Sequence, residues 1–134
     1  MKVSTIQIAL LALLCSLAAR AALPPLSDEE RLNTASDVVI GEVRTVEQKV
    51  EKIKVGTDIH YSAQVVVQEH VKGRLKPGDV IIVRFDQTGK RPPTWAGPQG
   101  QNEALTPGLR AKLFMTEDVG FFRLLQPNGW DLAR

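Results

Sequence analysis

The sequence predicts a mainly β protein: a small five-stranded antiparallel barrel with a short N-terminal helix. Two β-branched runs, residues 65–67 and 80–83, flank a connection at residues 73–78 that contains two glycines and a proline, a pattern typical of a β-hairpin. Further short apolar runs separated by turn residues follow, and almost no segment has helical periodicity. Because closure hides strand edges, we expect a barrel rather than an open sheet.

The first 21 residues have the three parts of a secretory signal peptide. Lys2 gives a basic start, residues 6–17 form an apolar run, and residues 19–21 read Ala-Arg-Ala, a small-residue cleavage site. We predict cleavage after Ala21 and hence an exported protein, periplasmic or secreted. A membrane-spanning helix needs roughly 20 apolar residues, so we predict no membrane span in the mature chain.

Cys15 raises the alternative of a lipoprotein signal. A lipid-modified cysteine is expected to follow a small residue, whereas Leu14 is large, and we therefore prefer cleavage after Ala21. Cys15 is also the only cysteine in the chain. The mature protein is accordingly predicted to have no disulfide, no thiol nucleophile and no thiolate metal ligand.

The charge of the chain changes when the signal peptide is removed. The full sequence has 17 basic and 15 acidic residues, and loss of Lys2 and Arg20 leaves 15 of each. A neutral domain lacks the basic surface that nucleic acids require, and export separates it from them. We predict no nucleic-acid partner.

The mature chain is predicted to contain a tether and short helix at residues 22–34 and a single β domain at residues 35–134. Residues 27–30 read Ser-Asp-Glu-Glu, which has the form of a capping box at the start of a helix. The helix would end near Ala35. The alternative for this segment is an exposed polar linker.

Two of the predicted strands contain irregularities. Gly41 interrupts the first strand and indicates a bulge or bend, and residues 49–54 alternate charge with apolar residues as a projecting, solvated arm would. The second strand should also bend near residues 69–70, where its alternation breaks. Its core-facing residues are predicted to be Tyr61, Ala63, Val65 and Val67. The five strands are predicted at residues 37–50, 59–72, 80–86, 111–116 and 121–125.

Residues 87–109 form a long loop with four prolines and four glycines. Loops of this length in compact domains are usually functional or disordered. Lys90, Arg91 and Trp95 combine two cations with an aromatic ring beside a stiff Pro-Pro pair, which makes them the best candidates for a partner-binding edge. The competing interpretation, which we slightly prefer for Trp95, is that it folds down to cap the open end of the barrel. We expect Lys90 and Arg91 to be dispensable for folding.

His60 and His70 are the only imidazoles in the chain. They are ten residues apart on one strand, about 33 Å at 3.3 Å per residue, which is too far to share a metal on a straight strand. The sequence also lacks the G-x-S-x-G pattern of a nucleophile elbow. No catalytic residue, metal or cofactor is therefore predicted.

The order of several short segments resembles small exported bacterial domains that are similar to the netrin-like and tissue-inhibitor-of-metalloproteinase barrel. The resemblance covers about residues 35–126, and its segments are residues 35–41, 65–67, 71–73, 78–83, 107–108, 113–114 and 122–124. It implies an OB-like five-stranded barrel. Inhibitors of that family place an N-terminal cysteine on the protease zinc, and the mature start Ala22-Leu23-Pro24-Pro25 has none. The resemblance therefore implies a fold and no inhibitory activity.

Together these features predict an exported, non-catalytic binding or interaction module whose partner is a protein, a peptide or a carbohydrate. The alternative is a hydrolase-like or metal-dependent activity that uses His60, His70 and nearby carboxylates. Substitution of both histidines would separate the two, because only the alternative depends on them.

Overall fold

A computed structural model of the chain describes residues 24–97 and 99–134. The predicted signal peptide and its cleavage site lie outside the described residues. No helix in the described part of the chain is both long and apolar enough to cross a membrane. Within the described residues there are one helix, α1 (Asp28–Thr34), and six strands, β1 (Asp37–Ile53), β2 (Gly56–Lys72), β3 (Val80–Thr88), β4 (Arg110–Glu117), β5 (Phe122–Leu124) and β6 (Trp130–Leu132).

The six strands form one mixed sheet with a ring through five of them. The strand order is β1-β2-β3-β5-β4-β6, and β1 pairs with β4 to close the ring. All pairs are antiparallel except β3 with β5, which is parallel. The prediction of a wholly antiparallel, five-stranded sheet was therefore wrong in two respects. A closed ring with an odd number of strands cannot alternate direction throughout, so at least one pair must be parallel.

The β1–β2 hairpin confirms the irregularities expected from the sequence. Its register shifts at three places on β1, between residues 38 and 39, 40 and 41, and 43 and 45. The first two shifts leave Val71 and Gln68 of β2, on either side of residues 69–70, without a register partner. A Cβ atom at Gly41 would lie 2.6 Å from Cγ1 of Val65, so only glycine allows the strands to approach this closely. Beyond Val46 the β1 half of the hairpin is mostly exposed, as predicted for an arm, whereas the β2 half is half-buried and pairs with β3; we call residues 47–62 the arm.

The main core lies inside the ring. Ala63, Val65 and Val67 are buried, as the alternation of β2 predicts, and they pack with residues of β1, β3, β4 and β5. The loop between β3 and β4 also enters this core, since Leu105 is 1% exposed. In that part the loop is a structural segment, held by the buried amide of Gln101, which donates to Leu125 O and accepts from Gly129 N.

The short helix begins with the predicted capping box. The Ser27 hydroxyl accepts from Glu30 N at 3.1 Å, and the Glu30 carboxylate accepts from Ser27 N at 3.2 Å. The segment before it, predicted to be a tether, is fastened to the rest of the chain, because Leu26 exchanges two hydrogen bonds with the Asn128 side chain. Arg31 then joins α1 to Asp131 of β6.

The sixth strand was not predicted. Residues 130–132 pair with β4 in line with β5, so the second edge of β4 is covered by two short strands separated by a turn. Trp130 packs against the main core, and its indole N–H donates to Glu103 O at 3.0 Å. Residues 130–132 carry one period of alternation and follow no hairpin turn, whereas the equally short β5 follows a tight turn that marks it as the second strand of a hairpin.

Candidate functional site

The strand register places charged and polar side chains in rows across the outer face of the sheet. One row runs from Glu47 through Ser62 and Arg84 to Arg123, on four consecutive strands. The residues next to them on β2, β3 and β5 are mostly buried. Because successive side chains of a strand point to opposite faces, the side chains of the row lie on the outer face. The outer face here forms a cleft of about 410 Å³ between the arm and β5. We call it the arm cleft.

His60 lies in the arm cleft and is held by two carboxylates. Its Nδ1 is 2.6 Å from Asp86 Oδ1, directly across on β3, and its Nε2 is 2.7 Å from Glu51 Oε2 on β1. The hydrogen bond to Asp86 raises the pKa of His60 above its ordinary value of 6.5; the bond to Glu51 raises it further, and partial burial opposes both. In the protonated ring both N–H groups donate, so neither nitrogen is free.

An aromatic pair fixes the strands beneath the arm cleft. The rings of Tyr61 and Phe85 stack with centres 4.7 Å apart and planes 7° from parallel, and the Tyr61 hydroxyl donates to Gln87 Oε1 at 2.9 Å. Stacked rings of this kind contribute stability beyond their buried area. The backbone that carries His60 and Asp86 is therefore held between packed residues.

Positive charge exceeds negative charge on the lining of the arm cleft. Its cations include Lys49, Arg84 and Arg123, and its carboxylates are Glu47 and Asp86. Arg123 lies 3.8 Å from Asp86 and 3.4 Å from Asp118, both long contacts at partly exposed side chains. The cleft can therefore attract a negatively charged group.

His70 is far from this cleft. It is ten residues further along β2, and its Nε2 is 2.6 Å from the carbonyl oxygen of Gly73, at the turn that follows the strand. The structure thus does not bring together the two histidines on which the hydrolase-like alternative depends. Within residues 24–97 and 99–134, no group of three or more His, Cys, Asp or Glu is placed to hold a metal ion.

Arg91 is placed differently from the expected exposed position. Its side chain is 11% exposed, donates to Thr57 O, pairs with Asp58 and lies 4.8 Å from the ring centre of Trp95. Arg91 and Trp95 thus fasten the loop to the start of β2. Lys90 is exposed as expected. Whether these three residues bind a partner stays a prediction.

If Trp95 capped the open end of the predicted barrel, it would pack against the main core. Among the described residues, the half-buried tryptophan that packs against the main core is Trp130. Trp95 instead covers Arg91 and approaches Gly97, where an added Cβ would lie 2.2 Å from its ring. The loop therefore folds partly on itself.

Sequence reasoning placed His60 on the polar side of β2 but missed Arg84, Asp86 and Arg123 as its neighbours. A signal was present, because Arg84 alternates with buried residues in β3 and Arg123 stands between Phe122 and Leu124. Their shared location depends on the pairing of β3 with β5, which no local pattern predicts.

Comparisons of the chain with protein-family models, with curated proteins and with solved structures found no match. The arm cleft must therefore be interpreted from its own geometry.

Proposed function

We propose that this protein is an exported, non-catalytic binding module whose ligand occupies the arm cleft. The observation that carries the proposal is the cleft itself, about 410 Å³ in volume, where charged side chains of four strands converge above a rigid aromatic pair. Ligand sites are typically concave, with a few polar groups that fix orientation.

The environment of His60 supports binding over catalysis. A general base needs a free ring nitrogen within reach of a substrate proton. Both nitrogens of His60 are already bonded to carboxylates, and its raised pKa favours the protonated ring. The same bonds leave no lone pair for a metal. These contacts favour a structural role for His60, which ties β1 and β3 to β2.

The resemblance to netrin-like and tissue-inhibitor-of-metalloproteinase domains remains part of the proposal. An OB-like barrel is supported by the ring in which β1 pairs with both β2 and β4. Ligands of OB-like barrels commonly lie on the face of the second and third strands, and the arm cleft extends across that face here.

A binding screen, repeated with a variant whose cleft is filled by a large side chain, tests the proposal. Backbone amide shifts of the ¹⁵N-labelled protein would be followed with neutral, acidic and basic peptides and with oligosaccharides. We expect a ligand to perturb cleft residues such as Ser62, and Ser62→Trp, which fills the cleft, to weaken its binding at least tenfold.

Gln64→Trp is the matched control, because Gln64 is exposed on the same strand outside the cleft. It should leave binding unchanged. A ligand that binds Ser62→Trp as well as the unmodified protein would contradict the proposal, and so would a hydrolytic activity lost in His60→Ala.

A further inference from the structure

The parallel pairing of β3 with β5 places two arginines side by side. Arg84 and Arg123 are direct register partners, and each stands between buried residues of its own strand, so both side chains lie on the outer face. Like charges directly opposite each other in a sheet repel and destabilise the pairing. This arrangement therefore opposes folding unless another interaction offsets it.

Phe121 stabilises the two guanidinium groups without neutralising them. Its ring centre is 4.2 Å from Cζ of Arg84 and 5.1 Å from Cζ of Arg123. An aromatic face attracts a cation and orients the planar guanidinium, while the N–H donors at the guanidinium edge stay available. Phe121 thus holds both groups in place as potential hydrogen-bond donors.

The nearby carboxylates leave much of this donor capacity unused. In the described part of the chain Arg84 has no ion pair, although it is exposed in the cleft. Arg123 has a long contact with Asp118 at 3.4 Å. Asp86, on the lining of the cleft, is 2.6 Å from His60 and 3.8 Å from Arg123. Its charge is therefore shared, and its shorter contact is to the imidazole.

Resting on the proposed function, we propose that the ligand of the arm cleft presents an oxyanion, a carboxylate or a phosphate group, to Arg84 and Arg123. Guanidinium groups bind both anions through pairs of parallel N–H bonds. One oxyanion between the two arginines would neutralise their repulsion and use their free donors. Lys49, on the lining of the same cleft, adds to the attraction.

Inorganic phosphate and succinate serve as the probes, titrated at fixed pH and ionic strength with chloride as the balancing anion. Arginine Nε–Hε resonances would be followed by NMR. We expect the signals of Arg84 and Arg123 to move along a saturating curve with at least one probe. Saturation by phosphate alone would identify a phosphate group, and saturation by succinate alone a carboxylate.

Variants separate a specific site from general attraction. Arg84→Gln should lower the affinity for the probe at least tenfold. Arg84→Lys keeps the charge but loses the planar guanidinium and its paired N–H donors, and it should lower the affinity less. Arg44→Gln is the matched control, because Arg44 is an exposed β1 arginine outside the arm cleft. Its affinity should stay within twofold.

Responses of Arg84 and Arg123 no larger than those of Arg44, or no larger than with chloride, would overturn the oxyanion proposal. A neutral ligand that perturbs Ser62 and binds the Arg84→Gln variant as tightly as the unmodified protein would also overturn it. That result would leave the proposed function intact. If neither the probes nor the screen perturbs the arm cleft, both proposals fall.

Discussion

The guanidinium of Arg31 lies 4.3 Å from the ring centre of Phe114, and that of Arg84 lies 4.2 Å from the ring centre of Phe121. The stacking is almost the same, but the surroundings differ. Arg31 is 4% exposed and bonds to Asp28, to Asp131 and to the carbonyl of Asn128. Arg84 is exposed and, among the described residues, has no carboxylate partner.

This difference shows that partners and burial, not the stacking distance, decide what such an arginine does. A buried guanidinium must be paired, because an unpaired buried charge is costly. Arg31 meets that requirement with Asp131, 100 residues away, and so fastens α1 to β6. Arg84 stays hydrated and keeps its donors free, which is the condition for binding a ligand from solution.

Substitution of each arginine in turn tests this difference most directly. Arg31→Met should lower the free energy of unfolding by about 2–3 kcal/mol, because several charge-assisted hydrogen bonds are lost. Arg84→Met should change it by less than about 0.5 kcal/mol, as expected for an exposed position. Urea denaturation measures both values. Equal losses would show that the two arginines are equally structural.

Valine substitutions extend the comparison to the core. Val67 is 1% exposed and Val80, across the hairpin on β3, is 57% exposed. Val67→Ala should cost about 1–3 kcal/mol, because it removes buried methyl groups and leaves a cavity. Val80→Ala should cost less than about 0.5 kcal/mol. Thermal melts of the two variants compare them, and a Val80 variant that melts lower would contradict the buried face assigned to β2.

Arg91 tests whether an arginine of the long loop contributes to stability like the buried Arg31 or is dispensable like the exposed Arg84. Its side chain is 11% exposed and bonded to Thr57 O and Asp58, so Arg91→Gln should cost about 1–2 kcal/mol, unlike the dispensable residue expected from sequence. Lys90→Gln, the adjacent exposed control, should cost less than about 0.5 kcal/mol. If both variants unfold at the same urea concentration, the original expectation for Arg91 is correct.

The smallest expected effect is the pH dependence of stability that His60 contributes. The folded-state pKa of His60 is raised above 6.5, so its contribution is fully present below pH 6.5 and is lost as pH rises through the folded value. His60→Asn should reduce this decline in the unfolding free energy, whereas His70→Asn should retain it. Urea midpoints between pH 5 and 9 give the measurement, and a decline that persists unchanged in His60→Asn would exclude this source.

Local patterns predicted much of the fold. The alternation of β2 indicated that Ala63, Val65 and Val67 are buried, and the Ser27–Glu30 capping box marked the start of α1. Gly41 marked a shift in the β1–β2 register. Each of these features depends on side chains a few residues apart or on the period of one strand, so the sequence contains the whole signal.

Local patterns therefore specify the class of the fold, most strand positions and the buried face of β2. No local pattern places Arg123 beside Arg84, Asp131 against Arg31, or Leu105 of the long loop in the core. These contacts join distant parts of the chain, and the first of them follows from the pairing of β3 with β5 in the ring. An odd ring must contain a parallel pair, but the strands that form it are chosen by how all five pack together.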